Sequence, residues 1–334
     1  MPVIKTFRIV SEQFDPFMNL SLEEALLDQV QPGQIIFYLW QNDHTVVIGR
    51  NQNPWQECRV RLLESSGGRL ARRLSGGGAV YHDLGNLNFT FAMDKALYDQ
   101  QRQLDMVAGA VNRLGIPAVC TGRNDILVNG CKFSGNAFYF RTQTALHHGT
   151  ILVDADLEKV PRFLSVSPEK LASKGIGSVR SRVLNLKALN ATLTIDKIKE
   201  TLLEAFDREY GQKALPVEET VGLKRESIDR VYQKYVSDAW RYGATPDFNV
   251  RFGNRFEWGE VEFLLDVHLG HVQSVTLFSD SLEPDIITAM GECLKGVAFT
   301  RQAMVGRLED MLRTAPHRII KDQIHYLENH PVFA

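Results

Sequence analysis

The chain has 334 residues, 44% hydrophobic and 23% charged, the proportions of an ordinary globular protein rather than a disordered or fibrous one. Its 38 basic and 40 acidic residues leave a formal charge of -2, so there is no basic excess to hold a nucleic-acid backbone. No apolar run reaches the ~18 to 20 residues of a spanning helix, and no signal peptide opens the chain. A cytoplasmic protein with no membrane partner, monomeric by default, is the expectation.

In chain order, Val3–Ile9 reads as a strand and Asn19–Val30 as a helix, with Ser21 and Glu24 at capping-box spacing. Strands are expected at Ile35–Trp40, Thr45–Gly49 and Asn86–Phe91. In the last of these Leu87, Phe89 and Phe91 alternate as one face of a half-buried strand. Gln100–Leu114 reads as a helix closed by Gly115 and Pro117. Asp125–Val128 and Cys131–Phe133 flank Asn129-Gly130, a strong hairpin signal. Shorter strands are expected at Phe138–Phe140 and Thr150–Val153. Strands joined by hairpins and mixed with helices point to a mixed sheet rather than a regular parallel one.

Leu157–Leu189 is a basic excursion carrying Pro161, Pro168, Gly175 and Gly177, and a helix follows at Ile195–Tyr210. The stretch from Trp240 to Phe256, with Gly243, Pro246 and Gly253, reads as a linker. Beyond it, strands at Val261–Val267 and Val272–Phe278 precede helices at Asp285–Lys295, Arg301–Arg313 and Asp322–Leu327. The simplest division is a large domain over 1–246 and a small one over 247–334.

Two stretches carry chemistry. In Arg72-Arg73-Leu74-Ser75-Gly76-Gly77-Gly78-Ala79-Val80-Tyr81-His82-Asp83, three glycines permit turns that expose consecutive N–H groups, and two arginines stand beside them. This fits an anion-binding loop or a glycine-rich structural turn, and it is neither a Walker loop nor a dinucleotide fingerprint. In Asn129-Gly130-Cys131-Lys132-Phe133-Ser134-Gly135-Asn136-Ala137, an ideal strand puts Lys132, Ser134 and Asn136 on one face, and Cys131, Phe133 and Gly135 on the other. That polar face is either a solvated sheet edge or a site built around an ammonium. Asp125 is the nearby acid placed to hold Mg2+ or to orient a lysine. Adjacent His147 and His148 point oppositely in a strand and chelate zinc poorly. Cys131 is a candidate thiol nucleophile, but strand alternation turns it away from Lys132. Cys58, Cys120, Cys131 and Cys293 show no C-x-x-C spacing and read as reduced thiols.

The sequence resembles the lipoate-protein ligase A family. The likeness is carried by Asn19-Leu20-Ser21-Leu22-Glu23-Glu24, by Thr45–Trp55, by Arg72–Asn86 and by Gly122-Arg123-Asn124-Asp125. It continues through Lys132-Phe133-Ser134-Gly135-Asn136-Ala137, His147-His148-Gly149-Thr150 and Lys174–Val183. The resemblance implies an α+β fold: a mixed-sheet catalytic domain like that of biotin protein ligases, with a small C-terminal α/β accessory domain. It implies that lipoate and Mg-ATP give lipoyl-AMP and pyrophosphate, and that the lipoyl group then passes to a lysine of a lipoyl domain. The carriers implied are acyltransferase subunits of 2-oxoacid dehydrogenases and the glycine-cleavage carrier protein. By the matching positions, Arg73 is a nucleotide phosphate ligand, and Gly78, Ala79, Val80 and Tyr81 line the adenylate. Lys132 touches the lipoate carbonyl and the α-phosphate, Asp125 contributes through Mg2+ or the acceptor lysine, and the loop around Lys174–Arg182 lies on the adenylate side. One departure is the short link Ile126–Cys131, where some relatives carry extra residues. Two rival readings are an ATP-independent acyl transferase on the same scaffold and a non-catalytic lipoyl-binding module.

Overall fold

The computed structural model describes residues 4–121, 124–165, 183–217, 225–243 and 248–333. By its contacts the chain divides into two compact units. The first comprises Met1–Val47, Trp55–Arg72 and Ala79–Arg241, the second Ile48–Pro54, Arg73–Gly78 and Tyr242–Ala334.

The strands of the first unit are β1 (Lys5–Val10), β2 (Gln34–Trp40), β3 (Thr45–Ile48), β4 (Arg69–Arg72), β5 (Val80–His82) and β6 (Asn86–Asp94). They continue as β7 (Ala118–Thr121), β8 (Asp125–Val128), β9 (Cys131–Phe140), β10 (Thr144–Leu152) and β11 (Leu215–Pro216). Its helices are α1 (Pro16–Gln29), α2 (Pro54–Glu57), α3 (Val60–Ser65), α4 (Gln100–Asn112), α5 (Lys159–Phe163), α6 (Ile195–Glu209), α7 (Arg225–Val236) and α8 (Asp238–Arg241).

Among the described residues, eight strands form one sheet in the order β11-β1-β2-β6-β10-β9-β8-β7, and β4-β3-β5 form a second. The large sheet is mixed, as expected: β1 runs parallel to β2, whereas β2, β6, β10, β9, β8 and β7 are successively antiparallel. The parallel pair arises because α1 carries the chain back between β1 and β2, a connection that hairpin-linked neighbours would not make.

Both faces of the sheet are covered. On one, Phe37, Phe89, Phe91 and Phe133 pack with Val107 of α4 and Phe206 of α6. On the other, Ile36, Tyr38, Trp40 and Ala92 pack with Leu20 and Leu27 of α1 and Tyr235 of α7. Each of the phenylalanine, leucine, isoleucine and valine side chains among these, fully buried, contributes ~1.5–3 kcal/mol of gross hydrophobic stabilisation. The half-buried reading of Asn86–Phe91 is therefore corrected: Asn86, Asn88 and Thr90 on its polar face are buried as well.

Helix α1 starts earlier than its sequence suggests. Asp15 is the N-cap, its carboxylate accepting from the N–H groups of Phe17 at 2.8 Å and Met18 at 3.1 Å, and Pro16 occupies the first turn. Ser21 sits inside the helix and returns its hydroxyl to the Phe17 carbonyl at 2.5 Å. Strands β9 and β10 are also longer than expected, because Ser134-Gly135-Asn136 and His147-His148-Gly149 lack strand propensity and are held by neighbours on both sides. The polar helix α7 gave no clear apolar stripe and was not expected. It is held on α1 by Lys234, which pairs with Glu24 at 2.8 Å and lies 4.1 Å over the Trp240 ring.

In the second unit, β12 (Val250–Phe256), β13 (Gly259–His268) and β14 (His271–Ser279) form a three-stranded antiparallel sheet. Helices α9 (Pro284–Leu294), α10 (Arg301–Thr314) and α11 (Arg318–Asn329) supply Met290, Met304, Ile320 and Leu327 to a core with Phe263 and Val272. This is the small α/β accessory domain that was expected. The linker reading is corrected for Val250–Phe256, an edge strand whose polar residues hid its pairing along β13.

The two accounts of where α1 begins separate on mutation. Asp15→Ala should lower unfolding free energy in urea by about 1 kcal/mol, and Ser21→Ala by clearly less. A larger loss at Ser21 would contradict this capping.

Candidate active site

The turn between β8 and β9 is built by Asn129 and Gly130, with φ of 51° and 76°. Both are left-handed, as a tight hairpin turn of this type requires. Past the turn the register shifts. Val128 faces Cys131 and Leu127 faces Lys132, but Ile126 faces Ser134 and Asp125 faces Gly135. Phe133 is thus the extra residue of a β-bulge, and it points into the core.

This bulge corrects the expected faces of β9. Lys132 shares its side with Gly135 and Asp125, and Ser134 and Asn136 lie on the other. The Lys132 ammonium is 2.7 Å from a carboxylate oxygen of Asp125. It lies directly over Gly135, where an added Cβ would come within 2.7 Å of Nζ and 2.8 Å of Cε. The Lys132 backbone is held from its other side by the Leu184 N–H, which donates to the Lys132 carbonyl at 3.0 Å. The Lys132 and Asp125 side chains are 36% and 38% exposed, so the pair is open to solvent. An exposed pair of this kind stabilises a fold by ~0–1 kcal/mol. Its consequence is to keep a charged ammonium in one place rather than to add stability.

Asn124 and Asn136 lock the root of the hairpin. The Asn136 N–H donates to the Asn124 carbonyl at 2.9 Å, and the Asn136 side-chain amide donates to it at 3.1 Å. The Asn124 amide returns a bond to the Asn136 carbonyl at 2.7 Å. On β10, His147 and His148 do point to opposite faces. His148 Nδ1 is 2.8 Å from Glu23, a fully buried carboxylate that also accepts from the Thr90 hydroxyl at 2.6 Å. Sequence reasoning passed over Glu23. The only signal was an acid on the apolar side of α1, beside Leu20 and Leu27.

The glycine-rich stretch behaves differently from an open anion nest. Arg72 is buried, with its guanidinium turned onto the carbonyls of Trp240 at 2.8 Å and Arg241 at 3.0 Å, and burial pushes it down to about 10. It serves as a strut in the first unit rather than as charge beside the loop. In the second unit, Arg73 donates to the carbonyls of Gly76 at 2.7 Å and Gly78 at 2.8 Å, holding the loop's own shape. The Gly77 N–H donates to the Ser281 carbonyl at 2.9 Å, so it does not contribute to a nest. A side chain at Gly76 would collide with that same carbonyl, which makes glycine necessary there. Ala79 and Val80 follow into β5 of the first unit. Tyr81 is buried, hydrogen-bonded to His44 Nδ1 at 2.9 Å and stacked on Phe163 at 5.6 Å, and burial pushes its phenol up. Its side chain is part of the packing, and its backbone pairs with Val46 in the small sheet.

Among the described residues, no cluster of three or more His, Cys, Asp or Glu side chains is arranged to hold a metal ion. Asp125 is a single carboxylate. That fits Mg2+ arriving on nucleotide phosphates, which needs only one or two protein carboxylates. Burial pushes the thiols of Cys58 up to about 12, and of Cys120 and Cys293 to about 11, so these three are poor nucleophiles. Residues 122–123 and the expected adenylate-side loop around Lys174–Arg182 lie outside the described residues.

Residues 15–207 match the lipoyl protein ligase A/B catalytic domain, and residues 245–325 match the bacterial lipoate protein ligase C-terminus. The chain belongs to the lipoate-protein ligase family. It is an enzyme of that kind. The lipoate-protein ligase A of Psychrobacter cryohalolentis is 39% identical over 310 residues, covering 90% of this chain and 91% of that protein. The lipoate complex of LipL1 from P. falciparum is 25% identical with a TM-score of 0.84, covering 97% of this chain and all of that one (100%). The bi-partite ligase of Thermoplasma acidophilum, solved as a lipoylation system with its E2 lipoyl domain, is 26% identical with a TM-score of 0.64. That match covers 74% of this chain and 99% of the archaeal one. Among the described residues of this lipoate-protein ligase family member, no helix is long and apolar enough to cross a membrane.

Gly135→Ala should fold normally, because the colliding atoms are the far end of a flexible lysine, yet lower ligase activity roughly tenfold or more by displacing the ammonium. Unfolding midpoints and turnover measured on the same preparation check this, and unchanged turnover would contradict it. A second outcome concerns acid. Burial pushes His147 from 6.5 down to about 3 in the folded chain. The unfolded chain therefore binds a proton first as pH falls, and stability present above about pH 6.5 is lost progressively toward pH 3. In urea titrations, His147→Gln should flatten that part of the pH–stability curve, and a curve as steep as wild type would contradict it.

Proposed function

We propose that the chain activates lipoate with Mg-ATP as lipoyl-AMP, releases pyrophosphate, and transfers the lipoyl group to a lysine Nε of a carrier lipoyl domain. The observation that carries this reading is the Lys132 ammonium, held over Gly135 against Asp125. A carboxylate attacking the α-phosphorus brings two anions together. A unit charge ~4 Å from another interacts by about 4 kcal/mol at the effective dielectric of a protein surface. The exposed pair with Asp125 is worth ~0–1 kcal/mol net. The ammonium therefore has reason to turn from Asp125 to the two substrate anions, where it offsets charge that builds as the new P–O bond forms.

Arg73, Gly78, Ala79, Val80 and Tyr81 are assigned to the nucleotide, and Lys132 to lipoate and the α-phosphate. Asp125, once the ammonium turns away, can face Mg2+ on the nucleotide or take a proton from the incoming acceptor lysine. In the second step that amine attacks the acyl carbonyl, the C–O bond to phosphate breaks, and AMP leaves. Acyltransferase subunits of 2-oxoacid dehydrogenases and the glycine-cleavage carrier protein are the carriers in this reading. It takes support from the lipoyl domain that accompanies the archaeal ligase. The catalytic work is assigned to residues 1–246 and an accessory role to 247–334. The enzyme acts as a monomer in the cytoplasm, where its reduced thiols are at home.

An apo lipoyl domain incubated with lipoate should gain the lipoyl mass only when ATP is present, and pyrophosphate should exchange into ATP only when lipoate is present. Lys132→Ala should lower exchange by ~100-fold or more, and Cys131→Ala should leave most of it. Full transfer without ATP, or loss confined to Cys131→Ala, would assign the chain to an ATP-independent thioester transferase instead.

A further inference from the structure

His147 lies on β10 with no part in the chemistry proposed above, yet it is fully buried among Phe91, Phe138 and Phe89, with ring centroids 5.5, 4.7 and 5.7 Å away. An imidazole there costs desolvation that a leucine would not. Its two nitrogens are both engaged. Nδ1 is 3.0 Å from the Gln103 carboxamide on α4, and Nε2 is 2.9 Å from Asn136 Oδ1 on β9. Burial keeps the ring neutral, so it has one N–H to donate.

The neighbours decide which nitrogen carries it. The Asn136 carboxamide is pinned by its own amide group, which donates to the Asn124 carbonyl at 3.1 Å and reaches the Ser134 hydroxyl at 3.4 Å. Its oxygen must then face the ring, so Nε2–H is the donor. Gln103 turns its carboxamide oxygen to Nδ1 and its NH2 group to the Met93 sulfur at 3.1 Å. A thioether is a weak acceptor and holds that orientation far less firmly than the Asn124 carbonyl holds Asn136, so the Gln103 carboxamide is the one that turns over to give Nδ1 its NH2. Gly149 stands directly opposite Asn136 on β10, and a Cβ there would come within 2.5 Å of Asn136 Oδ1. The glycine lets the carboxamide lie across to His147.

We propose that His147 is a positioning residue for the Lys132 centre: its Nε2–H fixes the Asn136 carboxamide, Asn136 clamps Asn124, and Asn124 sets Asp125 against Lys132. The route is short, since Asn124 directly precedes Asp125 and three hydrogen bonds join it to Asn136. It accounts for His147 and Gly149, which the reaction itself leaves unexplained. The proposal rests on Lys132 being the activating cation.

The test uses the full chain and reads lipoate-dependent pyrophosphate exchange, resolved into kcat and KM, beside the unfolding midpoint. His147→Phe keeps an aromatic ring in the pocket and donates nothing. It should lower kcat about 10- to 100-fold with little change in the KM for lipoate. His147→Gln, whose amide reaches the Nε2 position, should restore much of that loss. Asn124→Ala, at the hairpin root, should match His147→Phe, and the two together should lose no more than either alone. Wild-type kcat in a folded His147→Phe would overturn the proposal, as would full additivity with Asn124→Ala. If His147→Phe fails to fold, Asn124→Ala decides alone: a wild-type kcat there sinks the route. Retained exchange in Lys132→Ala would instead mark failure of the underlying reading.

Discussion

An ammonium that is to bridge two anions must stay charged, remain within reach of solvent and keep one position before substrate arrives. A lysine side chain in water is charged and solvated without help, but its four rotatable bonds leave its position open. In this chain the constraint is met by a bulge. Because Phe133 is an extra residue against β8, Lys132 and Gly135 share a side of β9, and the missing Cβ of Gly135 leaves room for the lysine tail to lie flat. Asp125 then meets the ammonium from the neighbouring strand. Without the bulge, Lys132 would stand beside Ser134 and Asn136 on the face that packs on α4 and α6.

The rest of the first unit supports that geometry. A sheet buried on both faces by α4 and α6 on one side and α1 and α7 on the other gives β9 a rigid base. Asn136 and His147 are buried and Asn124 is half-buried, and the hydrogen bonds among them run toward the hairpin root. A fully satisfied buried network rigidifies its surroundings, and a partly satisfied one is costly. Its retention in the core fits a requirement for position rather than for stability.

Much of this was legible in the sequence, for reasons that differ from element to element. Asn129-Gly130 announces its hairpin because few other residues accept two successive left-handed conformations. The opposite directions of His147 and His148 follow from strand alternation alone. The bulge at Phe133 was not legible, since alternation counted through it gives the wrong face for Lys132. Glu23 was missed because its partners, Thr90 and His148, come from strands distant in sequence. Arg72 and Arg73 look equivalent on paper, yet one braces Trp240 and Arg241 and the other shapes the glycine loop. Only tertiary neighbours separate them. Family likeness carried the identity of the reaction, which neither composition nor periodicity could supply.

The central claim is that the Lys132 ammonium exchanges Asp125 for the activated substrate. A crystal structure of the full chain with a non-hydrolysable lipoyl-adenylate analogue tests it most directly. The account predicts Lys132 Nζ within hydrogen-bonding distance of both the acyl carbonyl and the adenylate's phosphoryl-equivalent oxygen. Nζ still paired with Asp125, and touching neither oxygen of the bound analogue, would contradict it.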